Sequence, residues 1–374
     1  MSNSSLNYIQ KTHMEQAVRL ANEAVGHTSP NPAVGALIVK KGRVIGEGFT
    51  LPPGQNHAEI VALRQAGPQA QGSELYTTLE PCCTFGRTAP CTTAIIEAGI
   101  DTVFVASIDP NPKVSGKGCE TLREAGISVI ISEASGVTEL YEGFTKHILQ
   151  GIPFITAKYA MSLDGKIATA SGDSKWVTGI RSRLLVQELR KKCDAILVGI
   201  NTVLSDDPQL TCRDESGDPL ERQPLRVVLD SKCRFPKDSR MIHEPGETLV
   251  ITGSDATEHA ITGLRSVGVN VIQSNSRSNG HLDWDTVLNL LGQNNIVNLL
   301  VEGGSGVLGS LFDGGWVDKV YAFIAPKIIG GETSLTPIGG IGVKSMDVSW
   351  HLNKTSWELV GQDWLVIGYP TRAD

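Results

Sequence analysis

Residues able to bind zinc and carry protons lie close together in the first quarter of the chain. His57 and Glu59 stand two positions apart, and Cys82 and Cys91 follow them. One imidazole and two thiolates give three protein ligands and leave a fourth coordination position for water, as in catalytic rather than structural zinc sites. A His-x-Glu pair followed by Pro-Cys and a further cysteine is typical of zinc-dependent hydrolytic deamination. We therefore predict that His57, Cys82 and Cys91 bind zinc.

This chemistry needs a proton carrier as well as a metal. Zinc lowers the pKa of its bound water towards neutrality, so hydroxide becomes available at pH 7. A deamination also needs a proton on the ring nitrogen during attack and another on the amino group that leaves as ammonia. One carboxylate close to the metal can carry both protons. We assign this role to Glu59.

Cys83 leaves the ligand set partly open. It directly follows Cys82 and could replace it, although the Pro-Cys placement behind a predicted strand favours Cys82. A structural zinc knuckle is a second alternative, but it normally uses four protein ligands, and only His57 lies near the three cysteines. A zinc-stabilised binding module would have no need of Glu59, so this residue distinguishes the catalytic hypothesis.

Three separate segments must bring these side chains together. Hydrophobic periodicity and turn residues predict a helix over 58–66, with the His-x-Glu pair in its first turn. A strand over 74–79 leads into Cys82, and another helix begins after Cys91. The partial positive charge at a helix N-terminus lowers thiol pKa values and helps to hold thiolates.

Alternating strands and helices continue on both sides of this region. A capping-box pair, Thr12 and Glu15, predicts where the first helix begins. The alternation predicts an α/β domain in which a mixed or parallel sheet is covered by helices on both faces. A closing helix over 140–150 and a Gly-Ile-Pro linker then suggest a boundary, with domains over 1–150 and 151–374. Strand and helix alternate again after it, so we expect a second α/β domain.

Composition excludes several classes of protein. The formal net charge is −7, and no run of lysine and arginine suggests a basic groove, so we expect no nucleic-acid partner. No apolar run is long enough to span a bilayer, and the first ten residues do not resemble a signal peptide, so we expect no membrane partner. The seven cysteines are an odd number, and three crowd into 82–91. We therefore expect a reducing, cytoplasmic location.

A glycine-rich segment stands out in the second half. Residues 304–309 match G-x-G-x-x-G, but a dinucleotide-binding fingerprint also needs an acidic residue about 20 positions on, at the end of the next strand. Asp318 comes too early, so we reject that interpretation. Small residues at a helix N-terminus still allow backbone N–H groups to approach phosphates, and we expect an anionic ligand here.

The motifs of the first half together resemble the deaminase half of RibD, a bacterial family of bifunctional riboflavin-biosynthesis enzymes. They are Ser-Pro-Asn-Pro at 29–32, the His-x-Glu pair, and the segment 80–91 with its nine-residue cysteine spacing and Gly-Arg-Thr insert. The resemblance implies a cytidine-deaminase-like fold, with Asn31 lining the base pocket and Arg87 near a ribose phosphate. One departure is Cys83-Thr84, where the family usually has Ser-His.

The second half resembles the reductase half of the same family over 160–168, 202–213 and 302–306. This implies a dihydrofolate-reductase-like fold that uses NADPH. The resemblance assigns cofactor binding to Ala160, Trp176, Thr202, Asp206, Ser231, Gly304, Ser305, Gly306, Val307, Leu308, Gly309 and Ser310. It assigns substrate binding to Ser174, Arg190, Leu210, Arg213 and Glu302. Arg190 and Arg213 are also side chains that can clamp a phosphate by bidentate hydrogen bonds.

The resemblance implies two consecutive reactions. Zinc-dependent deamination of 2,5-diamino-6-(5-phosphoribosylamino)pyrimidin-4(3H)-one comes first, and NADPH then reduces the ribosyl group to ribityl. It also implies a homo-oligomer that forms through the reductase domain. Two enzymatic alternatives stay open. A tRNA or cytidine deaminase with an unrelated C-terminal domain should have Cys-x-x-Cys spacing and, for tRNA, a basic surface. A deaminase with a degenerate reductase half would not oxidise NADPH.

Overall fold

Two β-sheets organise the structure, a computed structural model that describes residues 6–85, 89–275 and 280–372. The chain divides into two units, Met1–Gly151 and Ile152–Asp374. The first unit contains a five-stranded sheet and the second a nine-stranded sheet.

The first unit alternates helices and strands almost throughout. Its elements are α1 (Tyr8–Ala24), β1 (Gly35–Lys40), β2 (Arg43–Phe49), α2 (Ala58–Ala66), β3 (Glu74–Thr77), α3 (Cys91–Glu97), β4 (Thr102–Val105), α4 (Lys117–Glu124), β5 (Ser128–Ile131) and α5 (Val137–Gln150). The strand order is β2-β1-β3-β4-β5. β3, β4 and β5 are parallel, whereas β1 is antiparallel to both of its neighbours. The sheet is therefore mixed, as predicted.

Two glycines that lie on opposite faces of the sheet show that helices cover both faces. A Cβ on Gly35 would lie 1.9 Å from the carbonyl oxygen of Ala17 in α1, and one on Gly48 would lie 2.7 Å from that of Ala58 in α2. Gly48 pairs with Ala36, the neighbour of Gly35, and successive strand residues face opposite sides. α1 and α2 therefore pack on opposite faces, and only glycine permits such close approach.

The first helix begins earlier than the capping-box pair at Thr12 and Glu15 predicts. Asn7 is the N-cap and exchanges hydrogen bonds with Gln10, so the capping box lies at the start of α1. The Thr12 hydroxyl donates instead to the Tyr8 carbonyl. The prediction was wrong because two Ser/Thr/Asn-x-x-Glu/Gln patterns follow one another here, and Asn7 has the extended backbone that a cap requires, whereas Thr12 lies inside the helix.

The second unit is larger and mostly parallel. Its elements are β6 (Phe154–Ser162), α6 (Ile180–Lys192), β7 (Ala195–Gly199), α7 (Ile200–Asp206), β8 (Leu225–Leu229), α8 (Arg240–His243), β9 (Thr248–Gly253), α9 (Glu258–Arg265), β10 (Asn270–Ser274), α10 (Trp284–Gln293), β11 (Asn298–Val301), α11 (Ser305–Gly314), β12 (Lys319–Ala325), β13 (Trp350–Val360) and β14 (Asp363–Arg372). The strand order is β10-β9-β8-β7-β11-β6-β12-β14-β13.

The carboxyl ends of the parallel strands meet at one edge of this sheet. β10 through β12 in the strand order run parallel, and β14 is antiparallel to both of its neighbours, β12 and β13. The loops after β7, β8 and β11 consequently lie side by side at that edge, where ligands bind in open α/β sheets. In the parts of the chain that the structure describes, no helix has the length and apolar character needed to cross a bilayer.

Candidate active sites

The structure brings His57, Cys82 and Cys91 together. His57 is the N-cap of α2, Cys91 is the first residue of α3, and Cys82 follows β3. The His57 Nδ1 atom lies 3.3 Å from Cys91 Sγ and 3.6 Å from Cys82 Sγ, and the three donor atoms lie within 4.8 Å of one another. Tetrahedral zinc with ordinary bond lengths separates a nitrogen from a sulfur ligand by about 3.6 Å. The donor set therefore fits zinc in both chemistry and spacing.

Hydrogen bonds from the start of α3 hold Cys82 and favour its thiolate form. The Cys91 amide donates to Cys82 Sγ at 3.4 Å, and the Thr92 amide donates to the Cys82 carbonyl at 3.2 Å. Hydrogen bonds from the Cys91 thiol and from the His57 ring hold the pKa of Cys82 well below its usual value, against the effect of burial. They favour the thiolate, which is the form of cysteine that binds zinc.

Glu59 lies beside this cluster and is buried. Its side chain occupies the first turn of α2, and its Oε2 atom lies 3.6 Å from Cys91 Sγ. Burial raises the pKa of Glu59 to about 7, with a further increase from the negative charge of Cys82. A carboxyl group with a pKa near the working pH can both take up and release protons, which is what general acid–base catalysis requires.

The structure gives less information about the other residues named for the first site. Cys83 is half-buried and is not a member of the His57, Cys82 and Cys91 cluster. Asn31 lies in the loop before β1, where its backbone N–H donates to the Thr28 carbonyl at 2.8 Å. Arg87 lies outside the described residues.

A second site is a cleft of about 1860 Å³ at the carboxyl edge of the parallel strands in the second unit. Residues that follow β7, β8 and β11 line it. Apart from Gly309, every residue predicted for the reductase site lies along this cleft: Ala160, Ser174, Trp176, Arg190, Thr202, Asp206, Leu210, Arg213, Ser231, Glu302, Gly304, Ser305, Gly306, Val307, Leu308 and Ser310.

Gly309 has a packing role instead. It does not line the cleft, and a Cβ there would lie 2.3 to 2.5 Å from the backbone of Gly339 and Gly340. The glycine allows α11 to touch the 339–340 segment directly. The resemblance assigned Gly309 to cofactor binding together with the rest of the 304–310 segment, and that assignment stays a prediction.

The start of α11 offers backbone donors to an anionic ligand. Gly304 is the N-cap, adopts an extended backbone and contributes no side-chain cap. The first N–H groups of a helix have no intrahelical acceptor, and the helix dipole favours negative charge there. A Cβ on Gly304 would lie 3.3 Å from Thr202 Oγ1, whereas one on Gly306 would meet nothing within 4 Å. This open concavity fits the diphosphate of a dinucleotide.

A partly buried charge cluster lies at the Glu302 end of the cleft. Arg190 donates from Nε and Nη2 to the two Glu302 carboxylate oxygens at 2.6 and 3.1 Å, and Lys158 Nζ lies 3.5 Å away. Burial alone would raise the pKa of Glu302, but the charges of Arg190 and Lys158 hold it at about 2. Glu302 therefore occupies the two guanidinium donors with which Arg190 was expected to bind a phosphate.

Arg213 is also engaged within the protein. Its Nη2 atom donates to Glu244 Oε2 at 2.9 Å, Nη1 to the Gly217 carbonyl at 2.7 Å, and Nε to Thr211 Oγ1 at 2.8 Å. Glu244 also accepts a hydrogen bond from Gln209, so it ties two parts of the cleft wall together. The guanidinium is therefore oriented before any ligand binds.

Lys158 and Glu244 were missed by the sequence analysis. Lys158 had a usable signal, because a lysine within an otherwise apolar central strand must have a buried partner or line a site. No sequence signal indicates Glu244, because it lies in an irregular segment and reaches Arg213 only through the tertiary fold.

Trp176 and Ser174 lie at the mouth of the cleft. The Trp176 ring is 64% exposed, and the Arg183 guanidinium lies 4.4 Å from its centroid. Ser174 donates to Asp206 Oδ1 at 3.2 Å, which links this loop to α7. An exposed indole held by a cation gives a flat surface on which a ring of a ligand can stack.

Comparisons with known proteins cover both units. The family described as the cytidine and deoxycytidylate deaminase zinc-binding region matches residues 8–107, and the RibD C-terminal domain matches 153–366. The RibD protein of Aquifex aeolicus is 42% identical over 360 residues, which is 96% of this chain and 98% of the relative. The chain belongs to the RibD family. The RibD protein of Escherichia coli is 41% identical over 86% of this chain and 88% of its own.

Solved structures of RibD proteins agree with this assignment. Acinetobacter baumannii RibD superposes with a TM-score of 0.85 at 36% identity, covering 97% of this chain and 99% of the relative. The Thermotoga maritima diaminohydroxyphosphoribosylaminopyrimidine deaminase/5-amino-6-(5-phosphoribosylamino)uracil reductase gives 0.83 at 36% identity, with the same coverage. The predicted fold class, a cytidine-deaminase-like domain followed by a dihydrofolate-reductase-like α/β domain, is confirmed.

Membership of the RibD family also decides the activity. The chain is a bifunctional enzyme of riboflavin biosynthesis, with a zinc-dependent deaminase domain and an NADPH-dependent reductase domain. The predicted deaminase, reductase, zinc and NADPH are thereby confirmed. The alternative of an unrelated C-terminal domain is excluded, because the RibD C-terminal domain spans most of the second unit.

Neighbouring cysteines provide a direct test of the zinc ligands. We expect Cys82→Ser to lose bound zinc and deaminase activity, because a serine hydroxyl at this position does not supply the thiolate. Cys83→Ser is the matched control and should keep a full zinc equivalent, since Cys83 lies outside the cluster. Zinc content measured by atomic absorption on the purified chains checks both. Loss of zinc from Cys83→Ser with retention in Cys82→Ser would reverse the assignment.

Proposed function

We propose that residues 1–150 deaminate 2,5-diamino-6-(5-phosphoribosylamino)pyrimidin-4(3H)-one and that residues 151–374 reduce the ribosyl group of the product to ribityl. The proposal rests on one observation above all, the position of buried Glu59 beside His57, Cys82 and Cys91. The name of the Thermotoga relative, which gives both reactions, supports the same substrate.

In the deaminase site, Glu59 carries the protons while His57, Cys82 and Cys91 hold the metal. Zinc, when bound, lowers the pKa of water so that hydroxide is available near pH 7. Glu59 accepts one proton from the attacking water and delivers it to the ring nitrogen. It then accepts the proton of the hydroxyl group newly bonded to carbon and delivers it to the amino group, which leaves as ammonia while the carbon–oxygen double bond forms. Its burial excludes bulk water, which would otherwise compete for these protons. By family resemblance, Asn31 holds the base and Arg87 the ribose phosphate.

In the reductase site, the chain aligns two ligands along one cleft. NADPH, when bound, supplies a hydride to the carbonyl carbon of the open-chain ribosyl group. The N-terminus of α11 around Gly304 holds the diphosphate, and Trp176 supplies a stacking surface. Glu302, fixed by Arg190, gives the substrate an anionic acceptor for its hydroxyl or amino groups, and Arg213 meets its phosphate.

We predict that Glu59→Gln retains zinc and loses deamination. The amide keeps the shape of the side chain but cannot shuttle protons, so kcat for ammonia release should fall by about 10²- to 10⁴-fold. Glu97→Gln, at an exposed position of α3, is the control and should leave kcat unchanged. Ammonia release and zinc content are measured on both, with NADPH oxidation as an internal check. Deamination that survives Glu59→Gln would show that another group carries the protons.

A second prediction concerns the phosphate cradle. Gly306→Glu places a negative charge where we propose that the diphosphate binds, so the Kd for NADPH should rise by at least about tenfold through like-charge repulsion. Gly306→Ala is the matched control and should have a much smaller effect, because its Cβ meets no atom within 4 Å. NADPH titration followed by tryptophan fluorescence measures both. Equal Kd values for Gly306→Glu and the unaltered chain would place the diphosphate elsewhere.

We further propose that the chain is cytoplasmic and pairs through its reductase domain. Trp357, Leu359 and Trp364 are 64%, 62% and 48% exposed and lie on one face of the β13–β14 hairpin, where Leu359 pairs with Trp364. β13 is also an edge strand, and an exposed apolar edge is a favourable surface for a second copy. The seven free cysteines favour a reducing compartment.

This interface predicts a change of mass. Trp357→Glu should convert the oligomer to a monomer, because it places a charge in the apolar face. Glu358→Gln is the control, since Glu358 pairs with buried Leu365 and lies on the opposite face of the hairpin. Size-exclusion chromatography with light scattering measures the mass. An oligomer that survives Trp357→Glu would require a different interface.

A further inference from the structure

Glu80 is a buried carboxylate next to the zinc site that the mechanism above does not use. It lies two residues before Cys82 and is only 3% exposed. Its Oε2 atom accepts hydrogen bonds from the backbone amides of Gly116 at 2.8 Å and Asp109 at 3.2 Å, and its Oε1 atom accepts one from Cys119 at 3.0 Å. Both carboxylate oxygens are therefore used to hold backbone from a different part of the chain.

Two of these donors belong to the start of α4. Gly116 is the N-cap of that helix, and having no side chain it provides no cap of its own. Cys119 is the third residue of the helix, the position whose amide a capping side chain normally satisfies. Glu80 thus takes the place of an N-cap side chain, although it lies 36 residues away in sequence.

The contact continues through the backbone that follows Glu80. A Cβ on Gly118 would lie 2.0 Å from the Pro81 carbonyl oxygen and 3.1 Å from Glu80 Cγ, so the first turn of α4 lies directly against this segment. The Glu80 amide also donates to the carbonyl of Ser107, two residues after β4, at 2.9 Å. The segment that leads into Cys82 is therefore held on several sides.

Among the described residues, Cys82 packs against the core of the first unit, and its hydrogen bonds outside the His57 ring come from the start of α3. Beyond the cluster itself, its carbonyl accepts from Thr92 in α3, so one helix holds it from the C-terminal side. Glu80 and α4 hold the chain from the N-terminal side. Without Glu80, the three amides would be left in the interior without their acceptor, and this segment would shift to find new partners.

We propose that Glu80 is a positioning residue for the zinc ligand Cys82. Its carboxylate ties the 80–82 segment to α4, which keeps the Cys82 sulfur within reach of His57 and Cys91. The proposal rests on the zinc ligands proposed above. The competing role is that of a helix cap that contributes to stability without affecting the metal.

Glu80→Gln tests this proposal in the full-length chain. The glutamine amide has one acceptor and one donor atom, so it cannot face N–H groups on both sides as the carboxylate does. We expect the Kd for zinc, measured by competition with a chromophoric chelator, to rise by about 10- to 100-fold. Deaminase activity should fall at limiting zinc and recover at saturating zinc. NADPH oxidation should stay unchanged, because all of these contacts lie in the first unit.

Asn7→Ala is the matched control. It removes the capping box of α1 in the same unit, so it should lower the unfolding midpoint without changing the Kd for zinc. If Glu80→Gln behaves in the same way, Glu80 is only a helix cap and the proposal is overturned. Glu80→Asp keeps the charge on a shorter side chain and should give a smaller rise in Kd, so it serves as the test if the glutamine variant does not fold. An unchanged Kd for this variant would also overturn the proposal.

The same titration separates this proposal from the zinc assignment itself. If the unaltered chain and Cys82→Ser bind zinc equally, the proposed ligand set is wrong, and the role of Glu80 is overturned with it. If only Cys82→Ser loses zinc while Glu80→Gln binds as tightly as the unaltered chain, the ligand set stands and the positioning role of Glu80 alone is overturned.

Discussion

Both sites depend on backbone N–H groups at helix N-termini that lack an acceptor within their own helix. In the first unit, the amide of Cys91 at the start of α3 donates to the Cys82 sulfur, and the start of α4 donates to Glu80. In the second unit, the start of α11 has glycine as its cap and faces the cleft. Thiolate, carboxylate and phosphate are all anions, so each can provide the acceptor that these N–H groups lack. Cys82 and Glu80 do so in the first unit, and we propose that the cofactor phosphates do so in the second. The sheets place these helix ends where strands finish.

Three buried glutamates show how environment separates the roles of one residue type. Glu59 lies beside a negatively charged sulfur, and burial brings its pKa to about 7, so it can exchange protons. Glu302 faces two cations, which hold its pKa at about 2, so it stays an anion and an acceptor. Glu80 is surrounded by amides and acts through hydrogen bonds. Burial alone thus does not indicate a catalytic role, and the partners decide it.

The strands and helices that position the sites were predicted closely wherever local signals agree. The helix over 58–66 has the bounds expected from the sequence, because apolar periodicity and a terminal glycine indicate the same limits. The start of α1 was misplaced because Asn7 and Thr12 both offer a cap. The β13–β14 hairpin was not predicted, because its many exposed positions obscure the alternation that marks a strand.

The sequence by itself determined the chemistry of the first site, because a histidine, a glutamate and two cysteines at this spacing have few other uses, and the family resemblance identified the second reaction. Only the tertiary structure decided which neighbouring cysteine joins the cluster, since the Cys82 sulfur lies close to His57 and Cys91 and Cys83 is not a member of that group. It also decided that the Arg190 fork faces Glu302 across 112 residues of chain. Such pairings depend on where side chains meet in space, and sequence separation of that size carries no information about distance.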